Sequence, residues 1–243
     1  MTFRLAIVLL LTTAATAFVQ EPDEIIRDAA LFGRFESLVA RIRMEIHDGG
    51  TKHRTLELHS EQDDDGARAF VQIISPAFLN RMKFLTISAR GATDQWIGTS
   101  RGVRRLADGS RDERLFDSDF RIDDFTPPEP DEYDLTRLDD RVVDGEPCYV
   151  VDIVPRTVRT DYARRRVFVA REDRLLVRAE YYSPDDELVR LFRLEERTYE
   201  EGTAFPARGS MRSISDGTET VLTVEQYRVG VTIPDRMFSR GNL

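Results

Sequence analysis

Leu38-Val39-Ala40-Arg41-Ile42-Arg43-Met44-Glu45-Ile46-His47, then Asp48-Gly49-Gly50, then Thr55-Leu56-Glu57-Leu58-His59, is the stretch that decides the fold. Ile42, Met44 and Ile46 alternate with Arg41, Arg43, Glu45 and His47, and Leu56 and Leu58 alternate with Thr55, Glu57 and His59. A period of two puts successive side chains on opposite faces of a strand, so this segment reads as a β-hairpin with one apolar and one wet face.

The same rhythm runs on through the chain. Residues 69–75, 81–89, 93–98, 103–107, 135–138, 148–155, 166–171, 175–182, 188–196, 209–215 and 220–229 all read as strands. Turn chemistry separates most of them: Arg90-Gly91, Asp108-Gly109, Asp144-Gly145, Ser183-Pro184-Asp185-Asp186, Glu201-Gly202 and Asp216-Gly217. Regular spacing with almost no helical period predicts a mainly β (α+β) chain, a mainly antiparallel sheet curled into a barrel or half-barrel. No internal repeat or low-complexity segment interrupts it.

Ahead of the hairpin the pattern is helical. Glu21-Pro22-Asp23-Glu24 places a proline and three acids at a helix start, and Ile25, Ala29 and Phe32 recur on one face until Gly33. An amphipathic helix of about three turns is expected. Before it, Arg4, an apolar run from Leu5 to Leu11 and the small-residue exit Ala15-Thr16-Ala17 have the form of a secretory signal peptide, far short of the roughly 20 residues a membrane span needs. Cleavage after Ala17 is expected to leave residues 18–243 as a single exported domain with no lipidation cysteine at its start.

Composition narrows the function. The chain is 41% hydrophobic and 33% charged with a formal net charge of −9, so it has enough apolar residue for a core and a poor charge balance for binding nucleic acid or an anionic bilayer. Cys148, the single cysteine, lies in the strand-like Pro147-Cys148-Tyr149-Val150-Val151 and reads as a small core hydrophobe. Its three histidines, His47, His53 and His59, share the polar face of the first hairpin; a metal there would need a third ligand such as Glu45 or Glu57. No nucleophile elbow, His-Glu-x-x-His or phosphate-cradling loop occurs, so no catalytic residue, metal or cofactor is assigned. The acid pairs Asp123-Asp124, Asp139-Asp140 and Asp185-Asp186 read as turn and capping residues, and Arg164-Arg165-Arg166 as a solvated run at a strand start.

Residues 117–134 break the rhythm. Asp119-Phe120-Arg121-Ile122-Asp123-Asp124-Phe125 followed by Thr126-Pro127-Pro128-Glu129-Pro130 is too proline-rich for a central strand and too long for a tight turn. It reads as an excursion over the sheet, either a long surface connection with satellite packing or a lid whose Phe116, Phe120, Ile122 and Phe125 face whatever lies beneath.

With the helix and meander, several short motifs resemble the outer-membrane lipoprotein-sorting protein family, the LolA-like periplasmic carriers. They are Asp94-Gln95-Trp96-Ile97 with Arg104-Arg105-Leu106, the Ser118 to Phe125 block, Val143-Asp144-Gly145-Glu146-Pro147-Cys148-Tyr149-Val150-Val151 ending at Pro155, Phe205-Pro206-Ala207-Arg208, and Ile233-Pro234-Asp235 to Phe238. The chain departs from the family after the tryptophan strand, where Gly98-Thr99-Ser100-Arg101-Gly102 stands in place of a Leu-Pro pair.

This resemblance implies an incomplete barrel whose concave apolar face, covered by helices, receives lipid or lipoprotein acyl chains in the periplasm. An inner-membrane transporter is the implied partner. The apolar-face positions Ile42, Met44, Leu56, Leu58, Phe70, Phe84 and Trp96 are the expected lining. Two other readings remain open: a lipid-sensing regulatory protein of the envelope, and an exported hydrolase or metal protein using the hairpin histidines.

Overall fold

The computed structural model of the protein describes residues 20–29, 35–63, 66–89, 92–107, 110–126 and 132–243. The signal segment, Phe32, Gly33, the turns at Arg90-Gly91 and Asp108-Gly109, and residues 127–130 lie outside them.

Thirteen strands form one antiparallel sheet: β1 (Ser37–His47), β2 (Thr51–Asp63), β3 (Gly66–Ser75), β4 (Lys83–Ala89), β5 (Ala92–Thr99), β6 (Gly102–Arg105), β7 (Tyr133–Val143), β8 (Glu146–Pro155), β9 (Arg164–Ala170), β10 (Leu176–Tyr182), β11 (Leu188–Glu200), β12 (Thr203–Ser213) and β13 (Thr218–Val229). Their spatial order is β6-β5-β4-β3-β2-β1-β13-β12-β11-β10-β9-β8-β7. Two meanders therefore meet where β1 pairs with β13, leaving β6 and β7 as unjoined edges of an unclosed barrel.

Local chemistry explains the connections. Asp144-Gly145 and Glu201-Gly202 each place two successive residues at positive φ, as a type I′ hairpin turn requires. Pro206, which cannot donate to a ladder, sits in β12 opposite Arg197, where the register of β11 shifts. At Gly209 an added Cβ would lie 3.3 Å from the Phe192 ring, so the absent side chain lets that ring lie over β12.

The topology makes the lid unavoidable. Edges β6 and β7 are consecutive in sequence yet lie at opposite ends of the sheet, so the segment joining them must cross from one meander to the other. It crosses over one face, and that face carries both large cores. In the first meander Leu38, Ala40, Ile42, Met44, Ile46, Leu56, Leu58, Ile73 and Phe84 pack with Leu115, Phe116 and Ile122 of the connection. In the second, Phe120 packs with Val151, Ile153, Val167, Val169, Tyr181, Phe192 and Met211.

The helix α1 spans Pro22–Asp28, seven residues rather than three turns, and Ala29 is already extended. It has no side-chain N-cap, and a helix this short holds its shape through packing, with Ile25 fully buried in the second core beside β7 and β8. Among the described residues no helix is long and apolar enough to cross a membrane.

Candidate functional site: a lidded apolar face

Cross-strand register aligns the lid-facing side chains. Ile42 stands opposite Leu56 on one side and Val224 on the other, Leu58 opposite Val71, and Val71 opposite Phe84. Five expected lining residues, Ile42, Met44, Leu56, Leu58 and Phe84, therefore share this face and one core.

Phe70 and Trp96 do not. Phe70 pairs with Leu85, Leu85 pairs with Trp96, and all three turn to the outer face, where the C-terminal segment covers them with Ile233, Met237, Phe238 and Leu243. This corrects their expected place in the lining. Both faces of β3–β5 are apolar, so alternation alone does not say which face is inside. Val71 and Ile97, one residue along from each, hold the lid-facing positions instead.

The lid consists of two 3₁₀ turns, Leu115–Asp117 and Ile122–Phe125. They are drawn together by the backbone bonds Leu115 N–H to Phe120 O (2.8 Å), Ile122 N–H to Glu113 O (3.1 Å) and Asp123 N–H to Arg111 O (3.0 Å). Phe116 and Asp117 make the reversal at φ 56° and 54°, left-handed conformations that cost non-glycine residues on the order of 1–3 kcal/mol each. Phe116, Phe120 and Ile122 are 1% exposed, and Phe120 packs against Phe125 and Phe192 with ring centroids 5.7 and 6.3 Å away. A void of about 30 Å³ lies beside Phe120, lined also by Ile42, Phe192, Leu222 and Val224. That is the space of a single water, whereas pockets that enclose a small organic ligand span roughly 300–1,000 Å³. The larger hollow, about 660 Å³, is an open, polar depression beside Asp112, Arg159 and Tyr162 at the lid's flank.

Charge fastens the lid. Asp119 accepts hydrogen bonds from Thr218 Oγ1 (2.5 Å) and Thr220 Oγ1 (2.7 Å). Asp123 accepts from the Tyr133 and Tyr162 hydroxyls and lies 3.5 Å from Arg111 and 3.6 Å from Arg165. Asp124 accepts from Tyr181 Oη (2.6 Å), from its own turn's Arg121 N–H (2.7 Å) and from Arg190. Asp123 and Asp124 are thus buried partners, not turn solubilisers, and Arg165 is buried, not solvated. Local sequence does not show this because Tyr162, Arg165, Tyr181 and Arg190 come from β9 to β11 and the segment before them, about 40 to 70 residues away. Burial pushes the hydroxyls of Tyr133, Tyr162 and Tyr181 well above the ordinary tyrosine value, reinforced at each by a lid carboxylate, so all three act as donors. At Arg190 burial opposes the charge, but Asp124 and then Tyr181 outweigh it and the guanidinium titrates above its ordinary value.

The histidines stay apart from this site. His53 stands opposite Glu45 at 3.4 Å, His47 hydrogen-bonds Thr51 (3.1 Å), and His59 pairs with Glu57 (3.4 Å) while its ring stacks on Phe70. Among the described residues no group of three histidine, cysteine or acidic side chains is placed to hold a metal. Cys148 is fully buried, and burial pushes its thiol up to about 11.

Three solved structures share the fold of this unclosed antiparallel sheet. A DUF1329 family protein from Desulfovibrio piger superposes with TM-score 0.76 at 24% identity, covering 86% of this chain and 92% of that one. A protein domain from Vibrio parahaemolyticus assigned to outer membrane lipoprotein sorting gives 0.77 at 18%, covering 85% and 90%. A LolA superfamily protein from Nitrosomonas europaea gives 0.68 at 19%, covering 91% and 99%. At these identities the likeness is one of fold. In sequence, a family model described as "-like: Uncharacterized protein" matches residues 65–243, and the chain belongs to that family. No curated protein matches it.

Proposed function

We propose that the protein is a periplasmic carrier that binds lipid or lipoprotein acyl chains on the lid-facing side of the sheet and passes them between envelope partners, by binding alone. One observation carries this reading. Phe116, Phe120 and Ile122 of the lid fill the apolar face that holds Ile42, Met44, Leu56, Leu58 and Phe84, so the chain covers its own apolar face with a connecting segment. Each CH₂ left in water costs roughly 0.8 kcal/mol, and a carrier must replace the bilayer at that scale while keeping release possible. A lid of side chains chemically equivalent to an acyl chain meets both needs: it covers the face when empty and exchanges with cargo.

With a seam of about 30 Å³ beside Phe120 and Ile42, cargo would enter as the lid lifts, with Ile42, Met44, Leu56, Leu58 and Phe84 as lining and Phe116, Phe120, Ile122 and Phe125 as the displaced groups. Residues 18–243 would work as one domain, exported by the N-terminal signal and loaded by an inner-membrane transporter. Native mass spectrometry of the protein purified from its own envelope tests this: bound acyl lipid, and uptake of acyl probes by stripped protein, are expected. Protein that emerges empty and takes up no probe would sink the proposal.

A further inference from the structure

The lid delivers carboxylates as well as rings, and three of them, Asp117, Asp123 and Asp124, each meet an arginine from the sheet. Arg54 on β2, Arg165 on β9 and Arg190 on β11 point to the lid-facing side, with side chains 7%, 8% and 3% exposed. Arg54 lies 3.2 Å from Asp117, Arg165 3.6 Å from Asp123, and Arg190 hydrogen-bonds Asp124. Arg165, Tyr181 and Arg190 occupy one cross-strand row, both guanidinium groups over the Tyr181 ring at 5.9 and 4.4 Å. All three are under-used. Buried Nη1 of Arg54, Nε of Arg165, and Nε and Nη1 of Arg190 have no hydrogen-bond partner, although a buried donor normally has one.

Lifting the lid over an acyl chain removes Asp117, Asp123 and Asp124 from these arginines while the cargo keeps water away. A buried charge stripped of its partner is strongly unfavourable, so a neutral cargo would leave the open state opposed by up to three such charges. A cargo with oxyanions of its own restores the pairs and engages the idle donors, for which the forked guanidinium geometry suits phosphate.

We propose, on the basis of the carrier reading above, that the cargo is an anionic amphiphile: an acyl lipid whose phosphate oxygens replace the lid carboxylates on Arg190, Arg165 and Arg54. The lid is then a mimic of its cargo in both parts, phenylalanine rings for the acyl chains and aspartates for the headgroup.

Competition binding on the mature chain at low salt tests this, with dioleoyl phosphatidic acid, dioleoylglycerol of identical chains, and inorganic phosphate as probes. Phosphatidic acid is expected to bind at least about tenfold more tightly than dioleoylglycerol, the scale of a charged hydrogen bond. Arg190→Gln is expected to remove most of that preference while dioleoylglycerol binding persists. Because Arg190 is deeply buried, Arg54→Gln, whose partner Asp117 is exposed, serves as the gentler variant and should lower the preference in the same sense. Equal binding of the two lipids, or a preference untouched by both variants, overturns this inference and leaves the carrier reading standing. Phosphate binding as tightly as phosphatidic acid overturns it in favour of a free-anion site. Uptake of neither lipid overturns the carrier reading itself, and this inference with it.

Discussion

The two meanders hold the same lid by different means. Beneath Leu115, Phe116 and Ile122, the lid-facing side of β1–β5 is almost wholly aliphatic or aromatic, with Arg54 as its one buried charge among the described residues. Beneath Phe120 to Phe125, the lid-facing side of β7–β13 carries Tyr133, Tyr181, Arg165 and Arg190, with Tyr162 beside them, answering Asp123 and Asp124. Apolar contact is non-directional and lets a ring slide or leave gradually. Paired buried charges allow one geometry and penalise a broken one. The first half therefore holds the lid by non-directional packing, and the second fixes its register.

Breaking the charged side should have the largest effect. Asp123→Asn keeps the shape but removes the charge shared by Arg165 and Arg111, and the folded state should lose about 3–5 kcal/mol in chemical denaturation. A midpoint within experimental error of the wild type would mean that the lid is not fastened there. On the apolar side, Leu58→Ala, at a residue 2% exposed, should cost about 2–4 kcal/mol and leave a hollow that an apolar probe can enter. A smaller loss with no probe uptake would show that the face collapses instead of holding open.

Smallest is a pH effect on the outer face. Burial holds the His59 imidazole below its ordinary value, opposed by Glu57, so the unfolded chain takes this proton before the folded one does. The contribution of His59 is thus fully present above about pH 6.5 and is lost as pH falls through that value toward the lowered one. In stability curves between pH 7.5 and 5.5, His59→Gln should lose less than the wild type over that window; parallel curves would refute the assignment.

Much of this was legible in the chain. Each of the thirteen strands overlaps a stretch marked by alternation and turn residues, with clear differences at β7 and β12, read as 135–138 and 209–215 but spanning Tyr133–Val143 and Thr203–Ser213, and the break between Asp117 and Asp134 carries the lid turn Ile122–Phe125. Periodicity is a local property, and hairpins are local structures. Phe70 and Trp96 were assigned to the wrong face because a strand with two apolar faces carries no local sign of which one is covered by the C-terminal segment. Asp123, Asp124 and Arg165 read as solvated for a related reason: charge beside charge in sequence resembles a surface turn until strands from the far meander close over it.

The sequence by itself determined the sheet, its hairpins and the place of the long connection, because each depends on side-chain parity or turn geometry within a few residues. Only the tertiary structure decided which face became the interior, and which charges were buried on it. Both depend on the pairing of β1 with β13, a contact between strands more than 170 residues apart that brings the two halves under one lid.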